Sequence, residues 1–340
     1  MRLLVLTQTV NVEDPVLGFL HGWLTEFSKN YERISVICLK EGKHTLPKNV
    51  SVYSLGKERG ASRIQYLWRY YKLIWSLRSK YDAVFVHMNP EYVVLGGLLW
   101  KILGKRAFMW RNHYAGGIVT RLAIMLADKT FCTSRHSFTA RYRKNRLMPV
   151  GIDTDLFAPV PGIPRTMSIL SLGRVAPSKR LDVLVEALTI LKEKGSTISV
   201  AIYGDALPRD RGYRDKLVAD VEARGLSSHI RFHSGVPNGE TPRLYSAHEI
   251  FVNCSQSGMY DKTIFEAAAC GALSLAASRD YTSLVGEQFS FVGSSDLANK
   301  IQNLIALPQA EKDAHRTRLR GIVREHSLEA LAKKLFEEIR

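Results

Sequence analysis

The sequence predicts an α/β protein made of two doubly wound parallel-sheet domains. Three observations predict it. Short apolar runs of strand length alternate with longer helical runs along the whole chain. The 340 residues exceed what one core usually serves and suit two domains of about 150. Midway, Pro149, Gly151, Pro159, Pro161, Gly162 and Pro164 crowd together as a linker does.

In the first half, Leu3 to Gln8 reads as a buried strand. A polar loop, Thr9 to Asp14, leads through Pro15 into a helix carrying Phe19, Leu20, Trp23, Leu24 and Phe27. Strands follow at 34–39, 50–55, 83–87, 107–110 and 129–133, with helices at about 62–80 and 92–103. In the helix from Ser62, residues Ile64, Leu67, Tyr71, Ile74 and Trp75 fall at helical spacing and are expected to form its core stripe. Trp68 and the basic residues are then left outside. Ligands of doubly wound sheets sit beyond the carboxyl ends of strands. That singles out Thr9 to Gly18, His87 to Glu91, Ser134 and above all Arg111, Asn112 and His113, which precede Gly116 and Gly117.

Charge separates the halves. Residues 1–160 hold 24 Lys and Arg against 11 Asp and Glu, whereas residues 161–340 hold 24 against 21. The first half therefore meets something acidic: lipid headgroups, nucleic acid or a phosphorylated acceptor. Nucleic acid is disfavoured because no reader motif accompanies the charge. Cys38, Cys132, Cys254 and Cys270 are scattered without a CxxC pair, which argues against zinc and a disulfide framework and for a reducing cytoplasm. No apolar run is long enough to span a membrane, and the N-terminal residues lack the marks of a secretory signal.

In the second half, 168–173 is a strand, and Ser178 is the expected N-cap of a helix to Gly195. Gly173, Arg174 and Lys179 sit at that strand end and helix start, where an anion binds well. A strand at 199–203, a helix at 211–225 and the segment 230–236 lead to FVNCSQSGMYDKTIFEAAACGALSLAASRD, residues 251–280. There a strand end meets a small-residue loop, Asp261 caps a helix to about Cys270, and Gly271 stops it. Backbone N–H groups and Lys262 make this a second anion site. Glu266 falls among Ile264, Phe265, Ala267, Ala268 and Ala269, so it needs a partner. Ribose hydroxyls would serve, as would solvent or a nearby Arg. Further on, a strand at 273–276, a short strand near 289–292, and helices at 296–307, 309–325 and 327–339 close the chain.

Taken together, Gly173-Arg174 with Lys179, the VGIDTDLF segment and the stretch ending in FEAAACG resemble the retaining glycosyltransferases of the GT-B fold, family four (group 1 type). The resemblance implies two Rossmann-like domains facing each other across a cleft. Residues 1–160 would bind acceptor, 161–325 would bind a nucleotide sugar, and a helix at 326–340 would return to the first domain. It implies that Arg174 and Lys179 hold the donor diphosphate, Glu266 the ribose hydroxyls, and His113 the reacting centre beside the donor sugar. Gly18 would lie in a turn near donor phosphate and acceptor. Gly258, Met259, Tyr260 and Asp261 would form the loop facing the donor sugar and phosphate. One departure is plain: where the family carries a first glutamate eight residues before Glu266, this chain has Gly258.

The expectation is a retaining, metal-independent hexosyltransferase with no cofactor beyond a UDP- or GDP-sugar co-substrate. Its expected partners are a lipid-linked saccharide, glycolipid or polysaccharide acceptor and an anionic membrane surface met by the basic first domain, at the cytoplasmic face. A non-catalytic sugar-nucleotide-binding subunit and a sugar-nucleotide epimerase are the alternatives.

Overall fold

A computed structural model describes all residues except Pro15, Met259 and Tyr260. The chain divides into two units, Met1–Gly151 with Leu328–Arg340, and Ile152–Ser327. The change of unit falls at Gly151, ahead of most of the proline cluster, because 152–164 pack within the second unit. There the Phe157 ring meets Tyr245, and Val160 N donates to the Ser246 hydroxyl at 3.0 Å.

The first unit is a seven-stranded parallel sheet: β1 (Arg2–Val10), β2 (Arg33–Glu41), β3 (Val50–Ser54), β4 (Ala83–His87), β5 (Arg106–Trp110), β6 (Lys129–Cys132) and β7 (Asn145–Leu147), in the order β3-β2-β1-β4-β5-β6-β7. Its helices are α1 (Phe19–Ser28), α2 (Arg63–Ser76), α3 (Pro90–Ile102) and α4 (Ile118–Leu126). The two-residue period of a strand explains the layers directly. Leu3 and Val5 of β1 enter one core with Leu20, Trp23, Leu24 and Phe27, while Leu4 and Leu6 enter the opposite core with Tyr70, Ile74, Trp100 and Ile124. Ser62 starts α2 with a reciprocal cap: its hydroxyl accepts from Gln65 N at 3.3 Å, and Gln65 Oε1 accepts from Ser62 N at 2.8 Å.

Helix α2 buries a different stripe from the one its spacing suggests. Tyr70 and Ile74 are buried, whereas Ile64, Leu67, Trp68, Tyr71 and Trp75 are exposed. The helix has two apolar stripes, and the sheet covers the other one. Helix α4 was not foreseen, because IVTRLAIML is as apolar and β-branched as a buried strand. The basic run after Ser134 forms a short 3-10 turn (Phe138–Arg141) and the edge strand β7.

The second unit is a five-stranded parallel sheet of β8 (Thr166–Leu172), β9 (Ser199–Tyr203), β10 (Ile230–His233), β11 (His248–Asn253) and β12 (Leu273–Ala276), ordered β10-β9-β8-β11-β12. The helices are α5 (Leu181–Glu193), α6 (Arg211–Ala223), α7 (Thr241–Ala247), α8 (Lys262–Ala269), α9 (Arg279–Val285), α10 (Gly293–Ala306) and α11 (Gln309–Glu325). Ser178 does not cap α5: it lies in a 3-10 turn, Pro177–Lys179, and Arg180 occupies the cap at φ +48°. Near 289–292 only Ser290 bridges a strand, pairing with Ala276. Arg316 is buried against Glu249 and donates to the Gly271 carbonyl at 3.0 Å, tying α11 to β11 and to the turn after α8. The last helix, α12 (Leu328–Ile339), belongs to the first unit, where Leu331, Leu335 and Ile339 join the α1 core. All four cysteines are buried and free.

Candidate functional site

In the second unit, the carboxyl ends of β8 and β11 converge on a small pocket. Ser171, Leu172, Gly173, Arg174, Lys179, Leu181, Ile202, Asn253, Cys254 and Ser255 line it. The backbone there is held closely. Gly204 stands at φ +148°, and a Cβ on it would lie 1.9 Å from the Gly173 carbonyl oxygen, so two glycines are needed where the β8 and β9 ends cross.

Arg174 is exposed and forms no hydrogen bond or ion pair with any described residue, so its guanidinium is free for an anion. Lys179 reaches across to Asp261, which it engages as an ion pair. Asp261 is also the N-cap of α8, accepting from Thr263 N at 3.3 Å, and its second oxygen accepts from Asn253 Nδ2 at 2.9 Å. Burial works to raise the Asp261 pKa. The Lys179 charge and the hydrogen bonds from Lys179, Asn253 and Thr263 outweigh it and hold the carboxyl below its ordinary range. Three donors on an ammonium leave Lys179 able to bind an anion while Asp261 orients it.

Glu266 is buried, at 5% exposure, and its Oε2 accepts from the Tyr245 hydroxyl at 3.1 Å. Glu266 is therefore not solvent-facing, and it forms no ion pair with an Arg among the described residues. Burial pushes Glu266 up to about 7 against the opposing charge of Lys262, one turn earlier, while burial pushes Lys262 down. Asp153, from the VGIDTDLF segment, adds a second negative charge acting on Lys262. Burial thus works against the charged form of both groups, and each group's charge opposes the shift of the other.

Gly258 has φ +94°, a left-handed conformation in which a glutamate is strained. Glycine thus stands, in a conformation that suits it, at the position where the resemblance leads one to expect a carboxylate. Met259 and Tyr260 lie outside the described residues.

In the first unit, His113 follows β5. Its Nδ1 accepts from Ala115 N at 2.9 Å, its ring stacks on Tyr114 with centroids 4.6 Å apart, and its carbonyl accepts from Phe138 N at 2.8 Å. Nδ1 also lies 3.2 Å from the Ala115 carbonyl oxygen, so both polar backbone atoms of Ala115 hold that edge of the ring, and Nε2 makes no hydrogen bond with a described residue. Arg111 supports the same loop by donating to the carbonyls of Met88 and Ala115 at 3.3 and 3.2 Å. Gly18 directly precedes α1; a Cβ there would come within 2.7 Å of the Asp14 carbonyl oxygen and 2.9 Å of that of Val12. The loop therefore folds on itself around a residue without a side chain.

Arg174, Lys179, Asp261 and Glu266 thus lie in one unit, and His113 and Gly18 in the other. Sequence reasoning missed Asn253, Tyr245 and Ser255. Asn253 holds Asp261, Tyr245 holds Glu266, and the buried Ser255 hydroxyl has no partner among the described residues beside the pocket. Asn253 and Ser255 lie within the stretch already suspected, whereas Tyr245 gives no local signal. No group of three metal-ligating side chains is found among the described residues.

Two parallel α/β units of this kind, the second with a pocket at its strand ends, define the GT-B class. HepE of Anabaena, solved with UDP and glucose, superimposes with a TM-score of 0.78 at 19% identity, covering 99% of this chain and 98% of that one. Residues 159–317 match the family described as glycosyl transferases group 1. The resemblance to group 1 glycosyltransferases of the GT-B fold therefore holds, carried in sequence by the second unit. Curated relatives align as well. The lipopolysaccharide core biosynthesis mannosyltransferase LpcC of Rhizobium leguminosarum bv. viciae is 28% identical over 55% of this chain and 55% of its own length. The GDP-mannose-dependent α-(1-6)-phosphatidylinositol monomannoside mannosyltransferase of Mycolicibacterium smegmatis is 26% identical over 40% of this chain and 42% of its own. The matches thus span between 30% and 55% of the length of the curated relatives.

Proposed function

We propose that this protein is a retaining glycosyltransferase that moves a hexose from a nucleoside-diphosphate sugar to a hydroxyl of a lipid-linked saccharide, glycolipid or polysaccharide. The observation that carries the reading is that an unengaged Arg174 and an Asp261-oriented Lys179 line one pocket of the second unit, with the buried carboxylate of Glu266 on the helix that Asp261 caps. Cleavage between the anomeric carbon and the diphosphate leaves an oxocarbenium-like sugar and a more anionic leaving group. Arg174, Lys179 and the N-terminus of α8 stabilise the departing charge, so the reading needs no metal clamp. Glu266 binds the ribose hydroxyls. His113 presents its Nε2 edge to the donor sugar, and Gly18 lets its loop approach donor phosphate and acceptor. Retention follows if the leaving phosphate accepts the acceptor hydroxyl's proton on the face it vacates.

The relatives support a nucleotide-sugar donor: one is named GDP-mannose-dependent, and HepE was solved with UDP. A lipid acceptor places the reaction at a membrane surface, at its cytoplasmic face. Gly258 favours a second reading, a subunit that binds donor without turnover, and an epimerase would need no acceptor.

A thermal-shift screen against UDP, GDP, ADP, UDP-glucose and GDP-mannose, with and without EDTA, tests the donor site. A ligand at 100 times its Kd stabilises the fold by about 2.7 kcal/mol. One base should stand out, unaffected by EDTA. No shift with any nucleotide would remove the donor assignment.

A further inference from the structure

Helices α2, α3 and α4 cover one face of the first sheet, and each carries a second apolar stripe on the side away from it. On α2 the outward residues are Ile64, Leu67, Trp68, Tyr71 and Trp75; on α3, Leu95, Leu98 and Ile102; on α4, Ile118, Val119, Leu122 and Met125. Their spacing is helical, so each set forms a continuous strip. Exposure is high where packing would ordinarily hide such side chains: 81% for Ile64, 62% for Trp68, 82% for Ile102 and 70% for Met125. The three helices are neighbours. The Tyr71 hydroxyl donates to the Leu95 carbonyl at 3.0 Å, and Gly97 lets α3 approach Leu126 of α4. An open groove of about 570 Å³ on α2 is lined by Ile64, Leu67, Trp68, Tyr71 and Lys72.

The charge around this face chooses the occupant. Between residues 60 and 127 there are ten Lys and Arg and only two acids, Asp82 and Glu91. Asp82 is already taken by Arg2. Exposed Arg63, Lys72, Arg78, Lys101 and Arg121 stand beside the apolar strips. Lys72 lies over Trp68 at 4.7 Å and Arg78 over Trp75 at 4.5 Å, pairing an apolar ring with a cation as residues at a lipid–water boundary do. A second copy of the chain on this face would set cation against cation. No described helix is long and apolar enough to cross a membrane, so contact is at the surface.

We infer that the outer face of α2, α3 and α4 is a docking surface that seats the first unit on an anionic bilayer, its apolar strips entering the headgroup boundary and its Lys and Arg meeting lipid phosphates. The surface deepens the lipid-acceptor reading proposed above by naming where this chain meets the membrane. Vesicle binding needs no donor, so its failure and that of the donor site are read separately.

The test is co-flotation of the purified chain with vesicles of phosphatidylcholine alone or with 30% phosphatidylglycerol, together with tryptophan fluorescence. Of the five tryptophans, Trp23, Trp100 and Trp110 are buried, so a spectral change on binding reports Trp68 and Trp75. The expected result is binding to the anionic vesicles with a blue shift, reduced at least tenfold in Ile102→Asp and Met125→Asp. Val292→Asp, at an exposed valine of the second unit, should bind as the unaltered chain does. Absence of binding at low salt, or equal binding by all variants, overturns the inference. So does a concentration-dependent dimer that Ile102→Asp abolishes while vesicles bind neither form.

Discussion

Glu266→Gln probes the proposed donor site most directly. The change keeps volume and shape at a position where a smaller residue would leave a cavity. The amide oxygen can still accept from Tyr245, but its NH2 group cannot accept from a second ribose hydroxyl. One hydrogen bond to a charged acceptor is lost and another becomes neutral. At about 1.5–3 kcal/mol for a bond to a charged group, nucleoside-diphosphate affinity should fall roughly 10- to 150-fold. Calorimetry with the ribonucleotide and its 2′-deoxy counterpart measures this. The unaltered chain should discriminate the two by about that factor, and the variant should not. Equal discrimination by both proteins would refute the assignment of Glu266 to the ribose.

The same variant carries a pH signature. Burial raises Glu266 from 4.5 to about 7 in the folded state. A raised folded value means that the group's stabilising contribution is complete below the unfolded value and is lost as pH climbs through about 7. At about 1.4 kcal/mol per pKa unit, urea denaturation should show the unaltered chain losing on the order of 2–3 kcal/mol relative to Glu266→Gln between pH 4.5 and 7.5. Parallel stability profiles would mean that Glu266 titrates as an exposed carboxylate does.

Other substitutions separate the remaining roles. His113→Ala should lower turnover by roughly 10²- to 10⁴-fold while donor affinity stays within about threefold, as single-turnover kinetics and calorimetry would show. Arg174→Ala should weaken diphosphate binding about tenfold or more, yet leave the melting temperature unchanged because the side chain is exposed and unengaged. Gly204→Ala forces a Cβ to 1.9 Å from a backbone oxygen at φ +148°, and should cost roughly 2–5 kcal/mol in denaturant unfolding; Gly239→Ala, with open space around it, should cost less than about 1. Glu249→Ala removes the buried one of two carboxylate partners of Arg316, leaving the exposed Asp313, and should destabilise by about 1.5–3 kcal/mol.

By itself the sequence determined the two doubly wound sheets. Strand and helix periods are written locally, residue by residue, and parallel pairing follows once strands alternate with helices. Strand β12 was legible to its ends, and Asp261 was legible as the α8 cap, because a cap needs only its own turn. Where several patterns competed, local information ran out. Helix α2 carries two apolar stripes, and only the sheet beneath it decided that Tyr70 joins Ile74 inside while Ile64, Leu67, Tyr71 and Trp75 stay out. Helix α4 was hidden because so short an apolar run suits strand and helix equally. The 3-10 turn at 177–179 displaced the expected Ser178 cap, since it is set by how the loop returns from β8. The partners of buried charges lie far away in sequence: Tyr245 for Glu266, Lys179 for Asp261 and Glu249 for Arg316. Burial makes those partnerships obligatory, and burial is a property of the packed chain, not of any segment of it.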